Sequence, residues 1–138
     1  MAPPRRNLII NISSFAGAAY VFNLAYSVGK AAVDRLAKDM AVELRPYNVT
    51  CVSFWPGIVR TEQMLEMVEQ GRVPFSVEKG ETPRFTGRAV VALATDPERF
   101  EKTGEVLIVS DLGREYGFTD VDGRQPGSIA EQAGAPSS

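Results

Sequence analysis

The side chains best suited to acid–base chemistry are a tyrosine, a lysine and a pair of serines near the N-terminus. Tyr26 and Lys30 are four residues apart, so on a helix they share one face. An ammonium group favours the phenolate form of a neighbouring tyrosine. Such a tyrosine can exchange a proton with an alcohol or carbonyl oxygen, and the hydroxyl of Ser13 or Ser14 can hold that oxygen. A tyrosine and a lysine at this spacing are more often a solvated pair, so the neighbouring elements decide the interpretation.

A strand and a long helix must position these side chains. Leu8–Ile12 is almost wholly apolar, which is typical of a parallel strand covered on both faces. An amphipathic helix is predicted over Ala25–Arg45, with Asn23 as its N-cap and Pro46 as its stop. The two serines then lie at the carboxyl end of a strand, where parallel sheets bind ligands.

The rest of the chain continues the alternation of strands and helices. Further strands are predicted over Val49–Trp55 and Glu105–Val109, and further helices over Glu62–Gln70 and Pro83–Ala94. This order predicts an α/β fold with a parallel sheet. Three strands are few for such a sheet, and Leu8–Ile12 would be an exposed edge. We therefore expect a further strand beside it, from additional chain or from a partner.

The predicted organisation has three parts. Residues 1–7 form a lead-in, residues 8–112 a partial α/β domain, and residues 113–138 a turn-rich, disordered tail. A mobile loop is predicted over Gly71–Glu81.

Composition excludes several classes of function. Fifteen basic and seventeen acidic residues among 138 give a net charge of −2, so neither nucleic acid nor an anionic membrane is predicted as a partner. The chain has no histidine, which removes Ser-His-Asp and Cys-His catalysis within it. Its single cysteine, Cys51, is predicted to be a packed core thiol. Neither a transmembrane span nor a signal peptide is predicted, so the location is either cytoplasmic or unassigned.

Three segments in a fixed order resemble the short-chain dehydrogenase/reductase family. They are Asn-Ile-Ser-Ser at 11–14, Tyr-Ser-Val-Gly-Lys-Ala-Ala at 26–32 and Val-Ser-Phe-Trp-Pro-Gly-Ile-Val-Arg-Thr at 52–61. The segments at 92–97, 104–107 and 116–124 are most similar to one branch of that family. The resemblance covers residues 7–124.

The resemblance implies hydride transfer between a nicotinamide dinucleotide and a carbonyl or alcohol carbon of a small molecule. Tyr26 would be the general acid/base, and Lys30 would promote its ionisation and bind the nicotinamide ribose. Ser14 would polarise the substrate carbonyl, with Ser13 as the alternative. The cofactor would be NAD or NADP, with NADPH favoured.

The resemblance also implies a set of cofactor-binding residues. Besides Tyr26 and Lys30, these are Pro56, Gly57, Ile58, Val59 and Thr61, which match the segment that packs around the nicotinamide. For Thr61 a simple helix cap is a compatible alternative.

One large departure from the family pattern limits these expectations. The phosphate-binding motif Thr-Gly-x-x-x-Gly-x-Gly does not occur in the sequence. The predicted fold is therefore the C-terminal part of a Rossmann-type doubly wound parallel sheet, with three strands, about three helices and no glycine-rich half. Two hypotheses follow: an oxidoreductase represented by its catalytic C-terminal half, or a non-catalytic truncated product that acts as a structural or interaction module. Members of the family commonly pair through the helix that carries Tyr-x-x-x-Lys and the helix before it. Only the first of these two helices is present in the sequence, so a homo-oligomer is left as an open alternative.

Overall fold

A computed structural model describes residues 7–73 and 77–132 of the chain. Residues 1–6 of the predicted lead-in, 74–76 of the predicted loop and 133–138 of the predicted tail lie outside the described residues. In chain order the strands and helices are β1 (Leu8–Ile12), α1 (Leu24–Leu44), β2 (Thr50–Trp55), α2 (Glu62–Glu69), α3 (Pro83–Thr95), β3 (Val106–Ile108), α4 (Val109–Tyr116) and α5 (Ile129–Gln132). Short 3₁₀ turns occupy Phe15–Gly17, Arg45–Tyr47 and Arg99–Lys102.

The strands form one sheet in the order β1-β2-β3. β1 runs parallel to β2, with Leu8 opposite Thr50 and Ile12 opposite Phe54. The pairing continues one residue past β1, because the Ser13 N–H donates to the Phe54 carbonyl at 2.8 Å. The α/β fold predicted from the alternating pattern is confirmed.

The chain divides into two compact units, which are described separately. The first contains the residues up to Trp55 together with Val90–Leu107, and the second contains Pro56–Ala89 and the residues from Ile108 onward.

The core of the first unit is built around β2, whose residues are buried from Thr50 to Phe54. Helix α1 covers the sheet with its buried small residues Ala37 and Ala41. Cys51 is fully buried within this core, and burial raises the pKa of its thiol. The prediction of a packed core thiol is therefore confirmed.

The second unit has an apolar core of its own. Phe85 is fully buried on α3, and its ring packs against that of Phe118 with centroids 5.2 Å apart. Leu112 of α4 is 2% exposed. A Cβ at Gly113 would lie 2.9 Å from the Phe85 ring, which explains a glycine inside this helix.

The structure departs from the sequence prediction mainly after β3. The predicted strand over Glu105–Val109 ends at Ile108, and α4 follows directly where only turns were predicted. Gly117, with φ of 76°, ends α4 in the left-handed conformation that glycine accepts without strain. Part of the segment predicted as disordered is also ordered, since it contains α5 and the buried Gln132.

In the part of the chain that the structure describes, no helix is both long enough and apolar enough to cross a membrane.

Candidate active site

The two serines that follow β1 have different environments. Ser13 is 3% exposed, and its hydroxyl donates to the Lys30 carbonyl at 3.2 Å. Ser14 is half-buried, and its Oγ lies 3.4 Å from the Tyr26 hydroxyl. This is a long contact for two hydroxyl groups, and either one can donate. Of the two serines, Ser14 is therefore the one whose side chain reaches the tyrosine.

Ser14 is held in place by the 3₁₀ turn that begins after it. Its backbone is extended, and its Oγ accepts the N–H of Ala16 at 3.2 Å, so Ser14 is the N-cap of the turn.

Tyr26 lies in the first turn of α1, where a predicted cap fixes the backbone. The Asn23 side chain accepts the Tyr26 N–H at 2.8 Å, which confirms Asn23 as the N-cap. The ring of Phe22 meets the Tyr26 ring edge to face, with centroids 5.3 Å apart. Phe22 is one of two non-glycine residues in the described ranges with positive φ, at 62°. The tyrosine ring is therefore held by local contacts while its side chain stays 36% exposed.

Lys30 lies one turn further along the same face of α1. Its Nζ is 5.7 Å from the centroid of the Tyr26 ring, within the range of a cation–π interaction. The ammonium also donates to the Ile12 carbonyl at 3.4 Å, which ties it to the end of β1. The structure thus brings Ser14, Tyr26 and Lys30 together at the carboxyl end of a strand.

Asp34, one turn beyond Lys30, joins α1 to β2. Its carboxylate accepts the Ser53 hydroxyl at 2.6 Å and the Trp55 indole N–H at 3.1 Å. The Trp55 ring contacts the Phe15 ring edge to face at 6.1 Å. Asp34 therefore fixes the helix that carries Tyr26 and Lys30 against the sheet, a role that sequence reasoning missed.

The predicted cofactor-binding segment after β2 lies in the second unit. Pro56 is buried, and Gly57, Ile58 and Val59 are half-buried. Thr61 is the N-cap of α2, with its Oγ1 accepting the Met64 N–H at 3.1 Å. Thr61 therefore acts as a helix cap, which is the alternative that the sequence offered. Because its Oγ1 only accepts in this contact, the hydroxyl proton can still be donated to another group.

Glu81 and Gln132 hold this segment through hydrogen bonds, although no sequence motif indicated either residue. Glu81 is fully buried, and one carboxylate oxygen accepts the Gly57 N–H at 3.0 Å. Its backbone forms a bridge with the same segment, because Glu81 N–H donates to Ile58 and its carbonyl accepts from Arg60, both at 2.8 Å. The Gln132 side chain supplies the acceptor for the Ile58 N–H at 2.6 Å.

Burial raises the pKa of the Glu81 carboxyl. The hydrogen bonds from Gln132 and Gly57 act in the opposite direction because they favour the ionised form, and the negative charge of Asp120 adds to the effect of burial. No signal in the sequence marks this cluster, since its members are separated by 24 to 74 residues.

The described residues contain no group of three or more histidine, cysteine, aspartate or glutamate side chains arranged to hold a metal ion.

The donors near Tyr26 fit a ribose of a nicotinamide cofactor. An ammonium has three N–H donors, and hydrogen bonding within the described chain uses one of those of Lys30. Among the residues that the structure describes, the Tyr26 hydroxyl has one hydrogen-bonding contact, the long one to Ser14. Both groups therefore retain hydrogen-bonding capacity for a ligand.

Comparison with known proteins identifies the family. The sequence model of the short chain dehydrogenase family matches residues 1–72, about half of the chain. The chain therefore belongs to the short-chain dehydrogenase/reductase family.

A more specific similarity agrees with the branch indicated by the later segments. The chain is 47% identical to Dehydrogenase/reductase SDR family member 1 of Homo sapiens, over 90% of this chain and 42% of that protein. The chain thus spans well under half the length of this relative.

Solved structures of the family share the fold. ElxO with NADP bound has a TM-score of 0.62 at 27% identity, over 74% of this chain and 44% of that chain. 4-Hydroxyisoleucine dehydrogenase complexed with NADH has a TM-score of 0.59 at 30% identity, over 75% of this chain and 44% of that one.

Proposed function

We propose that the chain carries the proton-transfer residues of an NAD(P)(H)-dependent oxidoreductase that reduces a small-molecule carbonyl or oxidises the corresponding alcohol. The observation that carries this proposal is the Ser14–Tyr26 contact at 3.4 Å with the Lys30 ammonium 5.7 Å from the same ring. Family membership supports it, and both cofactor-bound relatives described above contain a nicotinamide dinucleotide.

In the reductive direction, the Tyr26 hydroxyl gives its proton to the carbonyl oxygen of the substrate. Ser14 donates a hydrogen bond to that oxygen and holds it for the transfer. The positive charge of Lys30 stabilises the phenolate that remains on Tyr26. A reduced nicotinamide dinucleotide held at this site would supply the hydride that the carbonyl carbon receives, and its oxidised form would take up the hydride when the alcohol is oxidised.

Tyr26 and Lys30 are also proposed to bind the nicotinamide ribose, on the basis of their remaining hydrogen-bonding capacity. Pro56, Gly57, Ile58, Val59 and Thr61 are proposed to contact the nicotinamide portion of the cofactor. NADPH is the proposed form of the cofactor, on the family resemblance.

A second candidate function is a non-catalytic module. The observation that favours it is the lack of the Thr-Gly-x-x-x-Gly-x-Gly motif in these 138 residues, since that turn supplies backbone donors for the pyrophosphate. Titration of the 138-residue chain with NADPH, followed by cofactor fluorescence, separates the candidates. Tight binding by this chain would rule out the second.

The catalytic proposal is tested by the Tyr26→Phe substitution in the protein that the natural gene encodes. Removing the hydroxyl should lower kcat by about 10²- to 10⁴-fold, the range for loss of a general acid/base. The Kd for NADPH should rise by no more than about tenfold, which corresponds to the loss of one hydrogen bond to the ribose. Tyr47→Phe is the matched control, because Tyr47 is 55% exposed in the 3₁₀ turn after α1. Unchanged turnover in Tyr26→Phe would remove Tyr26 from its proposed role.

A further inference from the structure

The carboxylate of Asp34 ties helix α1 to strand β2. Asp34 is half-buried and lies one helical turn beyond Lys30, on the same face of α1. It accepts the hydroxyl of the fully buried Ser53 at 2.6 Å, and the indole N–H of Trp55 lies 3.1 Å from each of its two oxygens. Both donors belong to β2, so these contacts fix one turn of the helix to the strand.

The same carboxylate also bounds the 3₁₀ turn Phe15–Gly17, which Ser14 caps and which is called the Ser14 turn below. A Cβ added to Gly17 would overlap an Asp34 carboxylate oxygen, so the backbone at the end of the turn lies directly against Asp34. At the start of the turn, the Phe15 ring meets the Trp55 ring edge to face, with centroids 6.1 Å apart. The turn is therefore held at one end by Asp34 and at the other by the tryptophan that Asp34 orients.

The position of the Ser14 turn decides where the Ser14 hydroxyl lies. Ser14 directly precedes Phe15 and is the N-cap of the turn, so a shift of the turn moves Ser14 with it. The Ser14 Oγ is 3.4 Å from the Tyr26 hydroxyl, which is already long for a hydrogen bond between two hydroxyl groups. A small further displacement would therefore separate the two groups.

We infer that Asp34 is a positioning residue, which places the Ser14 hydroxyl against Tyr26 for the proposed proton transfer. It does so through its contacts with Trp55 and Gly17. The inference rests on the proposed function, which gives the Ser14 and Tyr26 hydroxyl groups a common substrate oxygen. A misplacement of reacting groups by about 1 Å can lower a rate by about 10²-fold, so a residue that only holds the turn still affects kcat.

The test is a double-substitution cycle between Asp34 and Ser14 in the protein that the natural gene encodes. Turnover is measured as oxidation of NADPH, with para-nitrobenzaldehyde, an electron-poor aldehyde, as the carbonyl probe. Asp34→Ala should lower kcat by about 10- to 100-fold, because the Ser14 turn is no longer fixed. In a protein that already carries Ser14→Ala, the same substitution should lower kcat by less than about twofold, since the hydroxyl that Asp34 places is gone.

Two results of this cycle would overturn the inference. The first is an Asp34→Ala variant with the kcat of the wild-type protein. The second is a loss from Asp34→Ala that is equally large with and without the Ser14 hydroxyl, because Asp34 would then act independently of Ser14. A general loss of folded protein gives this second result.

Asp34→Asn and Asp39→Ala are the matched controls. Asparagine keeps one oxygen that can accept from Ser53 and Trp55, so Asp34→Asn should retain most of kcat. Asp39 lies on the same helix, is exposed and pairs with Arg35 at 3.0 Å, so Asp39→Ala removes an equal charge and should leave kcat unchanged. If either control lost as much activity as Asp34→Ala, the hydrogen bonds of Asp34 would not be the cause, and the inference would be overturned.

Trp55→Phe keeps the inference testable if Asp34→Ala does not fold. Phenylalanine keeps an aromatic ring but has no N–H to donate to Asp34. This variant should also lower kcat, and by less than about twofold once Ser14→Ala is present. A kcat that falls equally with and without the Ser14 hydroxyl would contradict the link through Trp55.

A second measurement needs no turnover. Trp55 is the only tryptophan among the 138 residues, so the chain gives one indole N–H signal in an NMR spectrum. In Asp34→Ala this signal should shift as its hydrogen bond is lost, and the backbone amide signals of the Ser14 turn should shift with it. In Asp39→Ala all of these signals should stay in place. A shifted indole signal with unmoved signals from the turn would overturn the link between Asp34 and Ser14.

These readouts separate the inference from the proposed function. Turnover of Tyr26→Phe tests catalysis, whereas the NMR signals test the hold of Asp34 on the Ser14 turn without any reaction. Full turnover in Tyr26→Phe would reject the proposed function and the positioning role with it, even if the NMR signals showed that Asp34 holds the turn. An essential Tyr26 together with independent effects of Asp34 and Ser14 would retain the enzyme and reject the positioning role alone.

Discussion

Residue type alone does not distinguish Ser13 from Ser14 as the partner of the Tyr26 hydroxyl. The sequence places both hydroxyl groups at the end of one strand, so either can serve the same oxygen. Their side chains point to opposite sides of an extended backbone, and this alternation separates them. Ser13 is buried against the Lys30 carbonyl, whereas Ser14 reaches the Tyr26 hydroxyl. The family resemblance implied Ser14 with Ser13 as the alternative, and the contact of the Ser14 hydroxyl with Tyr26 supports that preference in the proposed mechanism.

Glu81 gives a prediction for the pH dependence of stability. Burial raises the pKa of its carboxyl in the folded chain above the value in the unfolded chain, which is about 4.3. The folded state then holds the proton more tightly, so the stabilisation from this group is complete below the unfolded pKa. It is lost as the pH rises through the folded pKa.

This effect is measured as the free energy of unfolding by urea, over a range of pH that begins below 4.3. We expect the stability of the wild-type chain relative to Glu81→Gln to fall as the pH rises. The substitution removes the titrating group and keeps the size of the side chain. A difference between the two proteins that does not change with pH would contradict a raised pKa for Glu81.

Helix α1 was predicted well because its signals are local. The apolar spacing, the Asn23 cap and Pro46 are all contained in one stretch of sequence, and the observed helix over Leu24–Leu44 differs from the prediction by one residue at each end. Helix α4 was missed because Gly113 weakens its helical signal. The reason for that glycine is the close approach of Phe85, which belongs to a segment far away in sequence.

The cap of α1 predicts the effect of a substitution on both stability and the site. Asn23→Ala removes the acceptor of the Tyr26 N–H and should lower the free energy of unfolding by about 1 kcal/mol. It should also loosen the first turn, which carries the tyrosine. Asn23→Asp keeps an acceptor at this position and should retain most of the stability. Urea unfolding of the three proteins checks this, and equal losses in both variants would argue against the capping role.

In the whole chain, the sequence predicted the order of strands and helices as far as β3 and the residues of the proposed proton-transfer site, because both follow from periodicity and short motifs. It did not predict that Glu81 and Gln132 hold the Pro56–Val59 segment by hydrogen bonds. Glu81 and Gln132 are 51 residues apart, and neither belongs to a recognisable pattern. Contacts of this kind depend on how distant segments fold together, so they become visible only in three dimensions.

The edge of the sheet leads to a prediction about association. Within residues 7–73 and 77–132, β1 pairs with β2 alone, so its other edge presents unpaired backbone groups. An apolar edge strand of this kind favours pairing with another chain, and a charged side chain on it opposes such pairing. Ile12 is 48% exposed at the end of β1. Ile12→Lys in the 138-residue chain should therefore weaken self-association.

We expect the concentration at which dimers form to rise roughly tenfold, equivalent to about 1.4 kcal/mol, as measured by sedimentation equilibrium. Val91→Lys is the control, because Val91 is a 62% exposed apolar residue that belongs to α3 and not to a strand. If the edge mediates association, Val91→Lys leaves the dimerisation constant nearly unchanged, whereas Ile12→Lys weakens dimerisation. Equal weakening by both would instead indicate general attraction between exposed apolar side chains, because a charge then acts wherever it replaces apolar surface.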